Sequence, residues 1–494
     1  MEETTDSLKR RTAGTLKWNV IDRVATQLLY AVTGVVLARE LSQDDFGLVG
    51  AVLIFQAFAS LLVDGGFSYA LIQRKSPTQT DYSTVLWFNL AMAATLYAAA
   101  WAAAPLIAGC FGGDMRLVPL TRVMFLTLVL NASASVQCYR LTKLMDVRMI
   151  AVANSLGLVA GAIAGIALAL AGAGAWAIVW QSIMVAAVKS ATLWMSGSWR
   201  PSWTFSFAAL RSYMGVGARM MFTSFLNTLF LNIYSFFVGN RVGMTSLGYY
   251  TQGDKWSKMG VQSLSQVVSS SFLPALSAVQ DDDARMQRLV RRMNRFTAYL
   301  LFPATLGLAA VATPVFHALF GTKWDPSIAL FQMLLVRGVF TVLNSLYGNY
   351  ILARGHARAM VWLEILRDGA AILALIATLP QLACSTPADP VAGLRVMLWG
   401  QIAASAITWA ATLLVAARCT GIRPGAFIAD LAPYLALTLL IVPLMFLAGG
   451  FTSSPLAACV VECTLAVGIY VGANSLAGSR IQAELFEYLR KKKA

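Results

Sequence analysis

FGLVGAVLIFQAFASLLVDGGFSYAL, residues 46–71, decides the fold class. Asp64 is its one charged side chain. A run of about 20 predominantly apolar residues is long enough to cross the hydrocarbon core of a bilayer as a helix. Working outward, similar stretches recur along the whole chain, at approximately 15–38, 46–71, 82–109, 117–139, 149–171, 174–195, 212–238, 247–279, 296–318, 327–352, 359–380, 394–417, 427–448 and 455–476. The 494 residues are 58% hydrophobic and 12% charged, with mean hydropathy +0.66. The expected fold is an all-α polytopic membrane protein of about fourteen transmembrane helices. The connections are short, so no folded domain outside the membrane is expected.

The formal net charge of +15 would suggest nucleic acid in a soluble protein. Here the placement of the charges gives another reading. With the N-terminus inside, alternate connections hold 25 of the 38 Lys and Arg residues, from Lys9, Arg10 and Arg11 to Arg490 and Lys491. The opposite connections hold Arg39, Arg116, Arg241, Lys323 and Arg395. That alternation is the positive-inside pattern, and it places both termini in the cytoplasm. The inside bases face anionic lipid headgroups, and no nucleic-acid partner is needed to explain them. The first apolar run is too long for a cleavable signal peptide and continues into Arg39-Glu40-Leu41 without a small-residue cleavage site. The six cysteines form no CxxC, and Cys459 and Cys463 share a helix face without a nearby His, so neither a metal site nor a cofactor is expected. Asp281-Asp282-Asp283 followed by Arg285, Arg288, Arg292 and Arg295 reads as a capped amphipathic helix, an elbow at the membrane surface. Trp203, Phe205, Phe207 and Leu210 suggest a second elbow.

A short segment is repeated. Residues 41–47, LSQDDFG, sit between the first two spans, and residues 242–248, VGMTSLG, between the seventh and eighth. Six spans separate the copies. An even offset gives both copies the same topology, so the halves are expected to be parallel repeats about an axis along the membrane normal. Residues 1–200 then form an N-lobe of spans one to six and residues 201–424 a C-lobe of spans seven to twelve. Residues 425–494 add two further spans and a basic cytoplasmic tail.

Polar residues recur at helical spacing in the first two spans of each lobe. Span one carries Asn19, Arg23, Thr26, Gln27, Tyr30 and Thr33, and span two Gln56, Ser60, Asp64 and Ser68. Span seven carries Arg219, Thr223, Asn227 and Tyr234, and span eight Thr251, Asp254, Lys255, Lys258, Gln262, Ser265 and Ser269. A charge facing lipid costs about 2.5–3.5 kcal/mol on the insertion scale, so these stripes are expected to face water or one another. Singly, the Ser, Thr and Asn residues read as helix–helix contacts. Arg23, Arg219 and Lys255 together read as a cationic cavity, which Arg122 and Arg337 either join or leave by pairing across helices. Guanidinium groups grip phosphate bidentately, so such a cavity selects anions. Asp64, Asp254 and Glu364 are the candidates for carrying coupling ions or protons. Glu364, Arg367 and Asp368 lie at i, i+3 and i+4 and read first as a local ion pair. His317, near a helix end, reads as an interfacial residue.

These residues also carry a resemblance. Ala38-Arg39-Glu40-Leu41 with Asp45-Phe46-Gly47, then Asp64-Gly65-Gly66-Phe67 and Ala70-Leu71-Ile72-Gln73-Arg74-Lys75, resemble the start of Wzx-type polysaccharide flippases. So do Leu247-Gly248-Tyr249-Tyr250, Gln252-Gly253-Asp254-Lys255 and Phe272-Leu273-Pro274-Ala275-Leu276-Ser277. These flippases belong to the multidrug/oligosaccharidyl-lipid/polysaccharide exporter superfamily. Gln43 stands where proline is expected and Gly253 where alanine is expected. The resemblance implies two six-helix lobes in a V, alternating access and no catalytic residue. It implies movement of undecaprenyl-diphosphate-linked oligosaccharide (O-antigen, capsule or exopolysaccharide units) from the inner to the outer leaflet of a bacterial inner membrane. Ion-gradient coupling as an antiporter follows from the same likeness, as do partners among polymerase and chain-length proteins. Two rivals stand beside it. A small-molecule exporter of cationic drugs wants an acidic cavity, against which the unpaired bases argue. A membrane glycosyltransferase or polymerase using the same lipid-linked substrate could draw on Glu40, Asp44 and Asp45, but it needs a large outside loop, and Asp44-Asp45 reads better as a helix cap.

Overall fold

A computed structural model of the chain describes residues 5–279, 281–386, 389–450 and 454–491. The described residues form helices and turns, with no strand among them. The chain divides into two compact units, Met1–Gly248 and Tyr249–Ala494. The first contains α1 (Thr5–Glu40), α2 (Gln43–Asp64), α3 (Phe67–Gln73), α4 (Gln79–Cys110), α5 (Leu117–Met124), α6 (Leu126–Lys143), α7 (Val147–Leu170), α8 (Trp176–Ser196) and α9 (Phe207–Arg241). The first residues of α10 (Met244–Ser277) also belong to it. The second contains the rest of α10, then α11 (Asp283–Ala310), α12 (Ala312–Phe320), α13 (Asp325–Ala353), α14 (Ala357–Thr378), α15 (Ala392–Thr420), α16 (Pro424–Gly449), α17 (Pro455–Leu476) and α18 (Arg480–Lys491).

Helices lie at all of the expected span positions. Among the described residues, ten are long and apolar enough to cross a membrane, and α11 with α12, bent by 62°, makes an eleventh. α14 falls outside that group because it carries Glu364, Arg367 and Asp368, and α10 because Asp254, Lys255 and Lys258 are followed by a stretch rich in Ser and Gln. α1 covers the first expected span, although most side chains before Asp22 lie outside the described set, Asn19 among them.

The helix starts follow local chemistry. Ser42 caps α2, its Oγ accepting from the Asp45 N–H at 3.2 Å while the Asp45 carboxylate accepts from the Ser42 N–H at 3.0 Å. This reciprocal box satisfies two of the orphan donors at the helix start. Asp45 is therefore the third helical residue of the box rather than the cap itself. Thr78 and Asp81 do the same for α4. α2 ends at Asp64 because Gly65 and Gly66 both take positive φ, 54° and 73°. This corner presses on α9, where a Cβ on Gly66 would lie 2.3 Å from the Gly217 carbonyl oxygen. α7 packs on α8 through Gly157, Gly161 and Gly165, four apart. A Cβ on Gly157 would lie 2.7 Å from the Val185 carbonyl oxygen, and one on Gly161 2.4 Å from Val185 Cγ2. Small residues at this spacing let helix backbones approach closely in a membrane.

In the second unit, α11 runs unbroken from Asp283 to Ala310 with Asp282 as its cap. The expected surface elbow is thus the first part of a long helix and not a separate one. Its arginines hold α16: Arg291 donates to Asp430 through Nε at 2.9 Å and Nη2 at 2.8 Å, and Arg295 Nε donates at 2.6 Å. Asp430 is fully buried between them. Asn294 Nδ2 donates to the Phe427 carbonyl at 3.0 Å in the same junction. The second expected elbow is irregular up to Ser206, which caps α9, and Trp203 stacks on Trp87 at 4.6 Å.

Candidate functional site

Each unit supplies its own polar features. In the first, α1 packs on α7, with Asp22 facing Asn154 Nδ2 at 3.4 Å. Arg23 follows one position on, about 100° round the helix, and is exposed. Arg219 is exposed on α9. Among the described residues, no acidic side chain pairs with either of them. Arg122 lies elsewhere: its guanidinium sits 4.8 Å over the Trp101 ring, and Nε donates to the Trp101 carbonyl at 3.3 Å. That contact ties α5 to α4 and occupies the cation against an aromatic face.

Asp64 ends α2 beside a cavity of about 130 Å³ between α2, α4 and α6. Its Oδ1 accepts from the Tyr139 hydroxyl, and its Oδ2 accepts from Ser68 Oγ at 3.0 Å. Ser60, Asn89, Asn131 and Ser135 complete the polar lining. Asn89 Nδ2 donates to Ser135 at 3.2 Å, whereas its buried Oδ1 has no partner among the described residues. Deeper in the same unit, Gln56 Nε2 donates to Thr127 Oγ1 at 2.5 Å. The result is a carboxylate held by hydroxyl donors, with no cation beside it among the described residues, in the interior of a membrane helix bundle.

In the second unit, Asp254 lies 2.6 Å from Lys258 Nζ and 3.8 Å from Arg337 Nη2. Arg337 also donates to Gln401 Oε1. This joins α10, α13 and α15 in one network, so Arg337, which has no acid nearby in sequence, finds one across helices. Ser327 Oγ donating to the Tyr249 carbonyl at 3.1 Å and Val261 against Gly338 hold the same helices together. Lys255 is exposed and sits 5.5 Å from the Trp256 ring centroid, with no acidic partner among the described residues. Glu364 lies 2.5 Å from Arg367, which also reaches Asp368 at 3.0 Å, as the i, i+3, i+4 spacing predicts. His317 pairs with Asp325 at 2.8 Å at the end of α12.

Sequence reasoning missed several polar partners. Tyr139 is 75 positions from Asp64, and Gln401 is 64 positions from Arg337, so no local pattern links them. Thr341, Asn344, Ser345 and Asn349 on α13 were open to discovery, because they form a stripe at helical spacing like those in the first two spans of each lobe. Among the described residues, no group of three or more His, Cys, Asp or Glu side chains forms a metal-binding cluster.

Known proteins resemble this chain in sequence and in fold. A family model described as polysaccharide biosynthesis protein matches residues 36–329. The succinoglycan biosynthesis transport protein ExoT of Rhizobium meliloti (strain 1021) is 24% identical over 351 residues, 71% of each chain. The lipopolysaccharide biosynthesis protein WzxC of Escherichia coli (strain K12) is 25% identical over 356 residues, 70% of this chain and 71% of its own. Among solved structures, the lipid II flippase MurJ in an inward closed conformation superposes with a TM-score of 0.70 at 14% identity, over 92% of this chain and 98% of that one. An inward-facing multidrug resistance MATE family transporter of the MOP superfamily gives 0.61 at 16% identity, over 80% and 96%. The fold is therefore the one expected from the sequence motifs.

Proposed function

We propose a function on one premise: this chain belongs to the polysaccharide biosynthesis protein family. It is a flippase that carries a lipid-linked oligosaccharide, joined through a diphosphate to undecaprenol, from the inner to the outer leaflet of the bacterial inner membrane. Relatives named for succinoglycan transport and lipopolysaccharide biosynthesis support this reading, as does the fold shared with a lipid II flippase. The observation that carries it is the set of exposed cations within long helices, Arg23, Arg219 and Lys255, which have no acidic partner among the described residues. A charge left unpaired in a membrane helix faces water or a ligand. Guanidinium groups recognise phosphate oxygens by paired charge-assisted hydrogen bonds. Arg23 and Arg219 receive the diphosphate, and Lys255 is the exposed cation that the second unit contributes. Arg122 and Arg337, engaged by Trp101 and Asp254, hold helices together within their own units.

The lipid tail stays in the bilayer while the head group crosses by alternating access. A membrane potential, negative inside, contributes about 2.3 kcal/mol per charge per 100 mV to outward movement of an anion. Asp64, held by Tyr139 and Ser68, is the carboxylate best placed for coupling to an ion gradient. With both termini in the cytoplasm, the basic connections lie on the inner face.

The test is transport in proteoliposomes loaded with an undecaprenyl-diphosphate-linked oligosaccharide, read by an impermeant glycan probe. Wild-type protein exposes the glycan in the far leaflet, and Arg23→Ala with Arg219→Ala abolishes this in folded protein. Wild-type activity that survives both substitutions unchanged overturns the cationic path. Sugar polymer appearing in place of translocated lipid overturns the flippase reading.

A further inference from the structure

The second unit contains a larger cavity than the one beside Asp64. It has a volume of about 370 Å³ and lies between α10, α13, α14 and α15. That volume falls within the roughly 300–1,000 Å³ of small-molecule sites. Its walls are rich in hydroxyl and amide groups: Ser265 on α10, Asn344, Ser345 and Asn349 on α13, and Ser405 and Thr408 on α15. Gly348, between the amide residues, lets the Met360 side chain of α14 approach, 3.1 Å from where a Cβ would lie.

Two features define what fits. The first is unsatisfied polarity of both signs. Asn344 Oδ1 is a buried acceptor and Asn349 Nδ2 a buried donor, and neither has a partner among the described residues. Asn349 as a whole is only 8% exposed. Buried polar groups left without partners are costly; both residues line the cavity, and an amide, which donates and accepts, suits a ligand hydroxyl. Thr408 donates its proton to the Ala404 carbonyl at 2.9 Å, which leaves its oxygen free to accept. The second feature is the absence of free charge. Glu364 and Arg367 line the cavity as an ion pair at 2.5 Å, and Arg367 is further held by Asp368 at 3.0 Å. A guanidinium already committed to two carboxylates is a poor phosphate clamp. The lining thus carries paired charge together with mixed donors and acceptors.

We propose that this cavity is a sugar subsite, which holds an uncharged hexose of the head group. The assignment rests on the transport reading above and adds to it where the glycan is sensed. A site built to hydrogen-bond hydroxyl groups rejects ligands that lack them, because its polar groups are then left unpaired.

The test uses full-length protein in lipid nanodiscs. It is titrated with undecaprenyl diphosphate, which has no sugar, and with an undecaprenyl-diphosphate-linked oligosaccharide of neutral hexoses. Wild type binds the glycosylated lipid about tenfold more tightly than the bare one, a difference of about 1.4 kcal/mol. Asn344→Ala combined with Ser405→Ala removes that preference and leaves bare-lipid affinity unchanged. Ser405→Leu, which fills the cavity without touching the amides, does the same, and the unfolding temperature of each variant checks its fold. A preference that persists in both variants, or none in wild type, overturns the subsite while transport stands. Failure of wild type to bind either lipid overturns the transport reading, and the subsite with it.

Discussion

Gly47 lies so close to Met244 that a methyl group in place of its hydrogen would sit 1.8 Å from the Met244 carbonyl oxygen. The approach is reciprocal: a methyl on Gly248 would sit 1.9 Å from the Gln43 carbonyl oxygen. Gly248 follows Gly47, and Met244 follows Gln43, by the same 201 positions that separate Asp44 from Thr245, whose side chains meet at 3.5 Å. Contacts exchanged under one sequence offset are the product of a local two-fold relation. The weak repeat at residues 41–47 and 242–248 is therefore a packing motif, and glycine is required where each copy crosses the other.

Substituting these glycines should separate the starts of α2 and α10. Gly47→Leu and Gly248→Leu each force apart two backbones that nearly touch, and overpacking of this kind costs about 1–3 kcal/mol. In a cysteine-free background, a cysteine at Thr245 should react faster with an impermeant thiol reagent in either variant than in the parent. Equal reaction rates would show that the approach is not tight in the membrane.

Asp64 and Tyr139 should separate titration from positioning. Asp64→Asn removes the ionisable group and should leave transport insensitive to an imposed proton gradient. Tyr139→Phe removes one hydrogen bond to the same carboxylate, and should slow transport by up to about tenfold while the gradient still drives it. The measurement is glycan translocation in proteoliposomes with and without the gradient. Gradient dependence retained by Asp64→Asn would place coupling at another carboxylate.

Asp430 should be a point of structural weakness. Its carboxylate is fully buried and receives three hydrogen bonds from Arg291 and Arg295. Asp430→Ala leaves both half-exposed arginines without their acceptor and should cost about 2–3 kcal/mol, seen as a lower unfolding temperature. Arg291→Ala should cost less, because Arg295 still bonds Asp430.

The cluster in which Asp114 and Arg116, between α4 and α5, meet Asp44 of α2 should respond to acid. Arg116 lies 2.6 Å from Asp44 and 2.7 Å from Asp114. Hydrogen bonds from Arg116 hold the Asp114 carboxyl below its ordinary value of 3.8. A carboxyl lowered by folding adds stability above its unfolded value and loses it as pH falls through the folded one. Asp114→Asn should thus be less stable than wild type at pH 7, by no more than about 1 kcal/mol for a pair this exposed. Unfolding temperatures of the two should converge as pH drops below 3.8.

Much of the fold was legible because a bilayer leaves few options: long apolar runs must be helices, and their positions follow from hydropathy alone. Asp282 as a cap and the Glu364–Arg367 pair were legible too, because their partners lie three residues away. Gly157, Gly161 and Gly165 show in hindsight how α7 meets α8, a spacing that hydropathy does not weigh. The site was harder. Arg337 reads as an unpaired base in sequence, yet Asp254, from another helix, lies beside it. Tyr139 continues the Asn131 and Ser135 face of its span at a spacing of four, but its role emerges only when α6 is laid beside the end of α2. Local spacing reports which residues share a helix face, but not which face another helix will cover.

The ion cluster on α14 has a consequence for how the protein is made. Glu364, Arg367 and Asp368 leave this helix too polar to partition from the translocon into lipid by itself, since single charges near a helix centre cost about 2.5–3.5 kcal/mol on the insertion scale. α14 packs along α15 and also touches α13. α13 emerges from the ribosome first and α15 follows, so α14 must wait between them and enter the bilayer as part of a hairpin or a trio. Biogenesis in this region is then cooperative: a truncation that removes α15 should strand α14 outside the membrane even though its own sequence is intact.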